Sequence, residues 1–324
     1  MNYSLYKLAF DTAVHFGASD SAQSLSVSDD HFCADTLFSA LCHSALSLRG
    51  PAGLEMLCGA VRAGRLLLSD SMPWRGETLY LPKPFTAAEA EQIVPSDKRK
   101  ALKRLKWLPV DQFPAYAAYV RGDAAYDPER AHAEFGVSVG TAKTKIIPGE
   151  DARPYQVGLY YFKENTGLWF LAGWEDEAQA ELLGVLLEGL SLSGIGGKTG
   201  AGYGKFHVAE SVLLRASSDP AARWLLSALD NVKAPRQMLL STSLPSDAEL
   251  EALLPGAEYM LTRRAGFVRS ASYAPESRKK SSQVFLSAGS VLPGRFAPAL
   301  YEVGEAGRHP VYRLSAPLFL GVEL

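Results

Sequence analysis

The sequence predicts an α+β fold built from two sheet-and-helix domains in tandem. Three observations carry this reading. Alternating apolar runs recur in both halves of the 324 residues, helical faces of 3.6-residue period stand between them, and most links are short. The strand–helix–strand order suits units of the split β-α-β type.

Residues 3–14 set Tyr3, Leu5, Lys7 and Ala9 against Tyr6, Leu8 and Phe10, which reads as a strand. A polar, serine-rich loop follows over residues 17–30. Leu37, Phe38, Leu41, Cys42, Ala45 and Leu48 then share one helical face, with Asp35 placed to cap it and Gly50-Pro51 to end it. Residues from about 69 to 150 lose regular periodicity and carry prolines at 73, 82, 84, 95, 109, 114, 128 and 148. They read as an insertion projecting from a compact domain. Strand character resumes at residues 155–172, where Asn165-Thr166-Gly167 predicts a hairpin turn between 157–162 and 168–171. A helix over residues 176–190 buries Ala178, Leu182, Leu183, Leu186 and Leu190. Strand 206–214, helix 219–234 and strands at 237–244, 259–264, 266–273 and 314–324 complete the chain.

Composition narrows the function classes. Hydrophobic residues make up 47% and the formal net charge is −2, so any polyanion site must be a local patch. The three cysteines form no Cys-x-x-Cys pair, and the six histidines have no ligand spacing. Neither a metal nor a cofactor is therefore expected. No signal pattern and no apolar run of 18 residues occurs, so the expected setting is the cytoplasm, without a membrane.

One segment concentrates the chemistry. Residues 194–204 hold six glycines in eleven positions: Gly194, Gly196, Gly197, Gly200, Gly202 and Gly204. Lys198, Thr199, Tyr203 and Lys205 stand among or beside them. Such a segment can offer backbone N–H groups and lysines to phosphate. A nucleotide P-loop needs glycine where Leu192 stands. A dinucleotide fingerprint fails at Thr199. An esterase elbow fails at Ser193. Gly202-Tyr203-Gly204 echoes an RNA-recognition strand, but Lys205 replaces its aromatic residue. A plain flexible helix-to-strand link needs fewer glycines.

The chain resembles the RAMP superfamily of CRISPR–Cas proteins, and within it the type III-A (Csm) effector subunits that hold the crRNA 5′ handle. The resemblance rests on Val14-His15-Phe16-Gly17 followed by residues 34–41, on the glycine loop, and on residues 283–290 with His309-Pro310-Val311-Tyr312-Arg313. It implies two ferredoxin-like, RRM-type domains, here residues 1–213 and 214–324, with the glycine loop between them. It implies a thumb-like insertion at about 69–150 that wedges between guide and target RNA. It also implies a non-catalytic role, with the crRNA 5′ handle, the large polymerase/cyclase-like subunit and the adjacent backbone RAMP subunit as partners.

Single-stranded RNA needs amides and cations for phosphate and planar groups for bases. The glycine loop supplies amides, Lys198 and Lys205 supply charge, and Tyr203 a ring. His15 reads as a structural or RNA-contacting residue; its rival role is general base of a metal-independent CRISPR-RNA-processing endoribonuclease. Lys143 and Lys145 either line the thumb base or keep an edge strand soluble. Arg264, Lys279 and Lys280 are further RNA-contact candidates. The basic run 98–106, six cations in nine residues, is either a solvated helical face or a contact to guide or target phosphate. Trp107, Trp169, Trp174 and Trp224 read as core or interface anchors. Lys198 and Thr199 leave one further alternative, a generic nucleotide-binding protein.

Overall fold

The computed structural model describes residues 1–17, 24–87, 96–146, 149, 151–305 and 307–324. Part of the serine-rich loop, and part of the expected insertion with its prolines at 95 and 148, lie outside the described residues.

The N-terminal half is organised around β1 (Asn2–Phe10). After the short pair β2 (Phe16–Gly17) and β3 (Ser28–Asp29) comes the helical segment α1 (Ala34–Arg62), then β4 (Leu66–Leu68), β5 (Met72–Arg75) and β6 (Thr78–Pro82). Helix α2 (Ser96–Arg104), β7 (Trp107–Pro109) and helix α3 (Phe113–Val120) lead to β8 (Gly136–Lys145), β9 (Arg153–Phe162) and β10 (Thr166–Trp174). Helix α4 (Glu177–Ser193) and β11 (Phe206–Leu213) follow. The main sheet runs β11-β1-β10-β5-β6-β7, with β4 also on β10, and its pairings are antiparallel. The unit β1-α1-β4/β5-β10-α4-β11 thus has the strand order of a split β-α-β fold.

Both faces of this sheet are covered, which explains why β1 alternates in sequence yet is buried almost throughout. Tyr6 and Leu8 join the core under α1 and α4. Tyr3 and Leu5 join a second core with α3 and the C-terminal residues Met238, Leu320 and Val322. That second core therefore draws on both halves of the chain.

The first helix breaks where Gly50-Pro51 predicts. Gly50 adopts φ 65°, a left-handed value that glycine takes at no steric cost, and helix then resumes to Arg62. Asp35 does not cap it. The Ala34 N–H is satisfied instead by Asp70 Oδ1 at 2.7 Å, from 36 residues away. In α4 the inward residue of the first turn is Gln179, which closes a capping box with Asp176, while Ala178 is exposed.

The 69–150 stretch divides into two parts. Strands β5, β6 and β7 extend the main sheet, and Leu81, Leu108, Phe113 and Tyr116 are fully buried. The exposed strand is β8, which pairs with β9 beyond this stretch from Gly136↔Phe162 to Lys145↔Arg153, while residues 157–160 of β9 are buried. The expected hairpin between 157–162 and 168–171 is corrected. Asn165 does turn the chain, at φ 57°, but β9 pairs with β8 and β10 with β1. Strand β10 is buried along its whole length, so it takes the central position of the sheet.

The C-terminal half begins with helix α5 (Pro220–Asp230), capped by Asp219. Strand β12 (Arg236–Leu239) lies between β15 (Val291–Leu292) and β18 (Phe319–Val322), with helix α6 (Asp247–Leu253) after it. Strands β13 (Leu261–Arg264) and β14 (Gln283–Leu286) pair, as do β16 (Ala299–Glu302) and β17 (Tyr312–Ser315). Residues 266–273, expected as a strand, form one bridge, Phe267↔Lys279. The terminal strand is split by residues 316–318 into β17 and β18. Among the described residues no helix is long and apolar enough to cross a membrane.

Candidate nucleic-acid interface

The glycine segment is a shaped loop. Helix α4 ends at Gly194 (φ 83°), and Ile195 is fully buried. Ile195 N–H donates to Gly204 O at 2.9 Å and closes the base of the loop. Two further amides anchor it to the chain leaving β1: Gly197 N–H to His15 O and Gly204 N–H to Ala13 O, both 2.8 Å. The close packing needs glycine at Gly204, where a Cβ would sit 2.1 Å from Ile195 O. At Gly197 the limit is the histidine: a Cβ would lie 2.6 Å from His15 Cδ2. Gly200 and Gly202 face open space.

His15 is 6% exposed, and its Nδ1 donates to Gly158 O at 2.7 Å. A carbonyl only accepts, so Nδ1 carries the proton. One residue therefore ties the loop to β9, by its carbonyl on one side and its ring on the other.

The ribbon and the loop meet through two cation–π pairs. Lys198 Nζ lies 5.0 Å from the Tyr155 ring centroid, and Lys143 Nζ lies 5.7 Å from that of Tyr203. Lys198 itself is held in the left-handed region at φ 59°. Lys145 and Lys205 are exposed nearby in sequence, on the ribbon and just past the loop. From the C-terminal half, Arg269 donates Nη1 to Gly196 O at 3.0 Å and Nη2 to Thr199 Oγ1 at 2.8 Å. The Thr199 hydroxyl is thus engaged within the protein. Together Lys143, Tyr155, Lys198, Gly200, Gly202 and Tyr203 form a partly exposed surface of backbone, cations and rings, in which the Gly202 N–H already donates to Thr199 O. Tyr155 and Arg269 were not among the sequence candidates. The only sequence signal for Tyr155 is its alternation with Val157 and Leu159; Arg269 has none.

Arg264 is engaged within the protein. Its guanidinium clasps Asp35, Nη2 to Oδ1 at 2.7 Å and Nε to Oδ2 at 3.1 Å, and its side chain is 13% exposed. It joins the two halves of the chain, and the Asp35 carboxylate takes up part of its guanidinium. Lys280 turns toward the same cluster; burial lowers its ammonium pKa against the opposing pull of Asp35. Lys279 is exposed, with its Nζ 5.9 Å from the Phe267 ring, on the segment that also carries Arg269. Trp169 and Trp174 are buried core residues, as expected.

The RAMP superfamily model matches residues 10–207 and the CRISPR Csm4 C-terminal domain model matches residues 232–322. The chain belongs to the Csm4 family of RAMP proteins. It is 36% identical to a Mycobacterium tuberculosis CRISPR system Cms protein Csm4, over 99% of this chain and 98% of that protein. A Streptococcus thermophilus Csm4 is 28% identical over the full length of both. Two solved structures share the fold. One is a Csm3–Csm4 subcomplex of the type III-A CRISPR–Cas interference complex, at TM-score 0.66, 17% identity and 99% of each chain. The other is a Csm1–Csm4 cassette with cA4, at TM-score 0.59 and 19% identity over 100% of this chain and 99% of that one.

Proposed function

We propose that this chain is the Csm4 subunit of a type III-A CRISPR effector complex and holds the crRNA 5′ handle without catalysing a reaction. The observation that carries the handle reading is the glycine loop. Its inner side is fixed by Ile195 and His15, while Gly200 and Gly202 face open space beside the Lys198–Tyr155 and Lys143–Tyr203 pairs. Phosphates would take the amides and lysines, and unstacked bases the tyrosine rings. The β8–β9 ribbon is the candidate thumb, reaching toward target RNA.

The two family matches fall on either side of the 213/214 boundary, which supports reading the chain as two RAMP domains. Relatives are found with Csm3 and with Csm1. By analogy, this chain would dock a backbone RAMP subunit and the large subunit. The buried, hydrogen-bonded ring of His15 favours the non-catalytic role over the endoribonuclease. The Arg269 bond to Thr199 disfavours a P-loop-like use of Lys198 and Thr199.

The test is binding and cleavage of labelled RNA carrying the host's repeat-derived 5′ handle, beside a scrambled control, with and without the large subunit. Handle-selective binding of intact RNA is expected. Metal-independent cleavage that His15→Ala abolishes would replace this reading with the endoribonuclease.

A further inference from the structure

The glycine loop is held from both halves of the chain. Its base closes on the segment that leaves β1, through Gly197 N–H to His15 O and Gly204 N–H to Ala13 O. Between these anchors, residues 198–203 bond among themselves: Ala201 N–H to Lys198 O and Gly202 N–H to Thr199 O, both 2.9 Å. Among the described residues, the hydrogen bond that ties this stretch to another element comes from Arg269, Nη2 to Thr199 Oγ1 at 2.8 Å. The same guanidinium donates Nη1 to Gly196 O at 3.0 Å.

Those two acceptors bracket Lys198. It stands at φ 59°, a region that crowds any residue with a Cβ, and no side chain caps the short turn it begins. A residue other than glycine keeps such a conformation where its surroundings over-determine it. The planar fork of Arg269 binds the residue two before Thr199's neighbour Gly197 on one side and Thr199 itself on the other. It thereby fixes the backbone that aims Lys198 Nζ at the Tyr155 ring, 5.0 Å away.

Arg269 is itself delivered by a braced ribbon. Residues 266–280 fold back on themselves, with Val268 N–H on Arg278 O at 2.9 Å and Lys280 N–H on Gly266 O at 2.8 Å. Beside Arg269, Ser270 Oγ and His309 Nε2 are 2.7 Å apart. Tyr273, 3% exposed, donates to Glu305 O at 3.0 Å, and its ring meets that of His309 at 5.2 Å. The backbone that carries the guanidinium is thus ordered by the C-terminal half, which lowers the entropy lost in holding the loop.

We infer that Arg269 is a positioning residue for the glycine loop: it locks the turn at Lys198 from the C-terminal half, so the second half of the chain sets the binding shape of a loop that belongs to the first. The effect on RNA rests on the handle reading above; the lock itself does not. Direct contact with a phosphate is the rival use of this cation. Thr199 separates the two, since only the lock needs its hydroxyl.

The experiment compares the full chain with R269Q, R269K, T199V, T199S, R269Q/T199V and, as a charge control on the same ribbon, R278Q; thermal melting reports whether each is folded. Hydrogen exchange without RNA reads the lock, and titration with handle RNA at several salt concentrations reads its consequence. Amides of residues 198–203 should exchange about tenfold faster in R269Q, less so in T199V, and at the wild-type rate in T199S and R278Q. Handle affinity should fall about tenfold in R269Q and less in R269K and T199V. The double variant should be no weaker than R269Q, because both changes remove one interaction. Unchanged exchange in folded R269Q overturns the lock, and faster exchange with unchanged affinity overturns the positioning role. So does a loss in R269Q alone, with T199V binding as wild type does and the salt slope shallower by about 0.7, which would assign Arg269 to a phosphate. Additive losses in the double variant, or an equal loss in R278Q, overturn it as well. Wild-type protein that binds no handle RNA removes the handle reading and leaves exchange to decide the lock.

Discussion

Asp35 and Arg264 are 229 positions apart in the chain and form a two-pronged ion pair at the junction of its halves, with both side chains largely withdrawn from water. Burial alone would raise the Asp35 pKa; Arg264, with Arg313 behind it, outweighs this and holds the carboxyl below its ordinary value. Arg264→Ala leaves a carboxylate buried with Arg313, at 3.7 Å, and Lys280 as its remaining cations. A loss of about 3 kcal/mol in urea unfolding is expected, and Arg264→Lys should restore only part of it because the fork is lost. RNA affinity of the folded variant should be unchanged, which separates this residue from the handle surface.

The same pair gives a signed pH dependence. A carboxyl whose folded pKa is depressed contributes stability that is fully present above its unfolded value, about 4, and is lost as pH falls through the lower folded value. Wild-type protein should therefore lose stability through this group as the solution is acidified below about pH 4. In Arg264→Ala that part of the acid limb should shrink, as measured by unfolding at stepped pH.

Glycines in the loop should separate by what they face. Gly204→Ala forces a Cβ to within 2.1 Å of Ile195 O at φ 77°, so it should unfold the loop or the domain, read by melting temperature. Gly200 has open space and no left-handed φ, so Gly200→Ala should be nearly silent in stability and RNA affinity. Gly200→Asp adds only charge and should weaken handle binding by about tenfold at low salt, the deficit shrinking as salt rises.

The tyrosines should behave as platforms. Tyr203→Phe keeps a ring over Lys143 and should retain most handle affinity, whereas Tyr203→Ala should lose about 1–3 kcal/mol in a filter-binding or anisotropy titration. An equal loss in both variants would assign the hydroxyl, and not the ring, to the RNA.

How much of this was legible beforehand depended on the range of the interaction. Gly50-Pro51, Asp219 before α5 and the glycine density at 194–204 act locally, so their chemistry is written in adjacent residues. A period of two marks 157–162 as a strand but does not name its partner, so the chain neighbour β10 suggests itself where the structure pairs β9 with β8. Nothing in the sequence around Arg264 reveals its ion pair with Asp35, which is 229 positions away. Asp70, which satisfies the first helix and Thr242 at once, gave no sign in a serine-rich stretch. Lys143 and Lys198 came together with two tyrosines only because the ribbon folds back onto the loop, a placement that sequence spacing does not encode.

Ile195 is fully buried at the base of the glycine loop, and Gly197 and Gly204 tether the loop to His15 and Ala13 just past β1. Ordering a free chain costs roughly 1–2 kcal/mol of entropy per residue, and for a run this rich in glycine the sum would exceed what a few phosphate contacts return. Here the cost is met once, when the protein folds. Under the proposed function, a handle would meet a loop already ordered, and selectivity for its shape would be fixed before the RNA arrives.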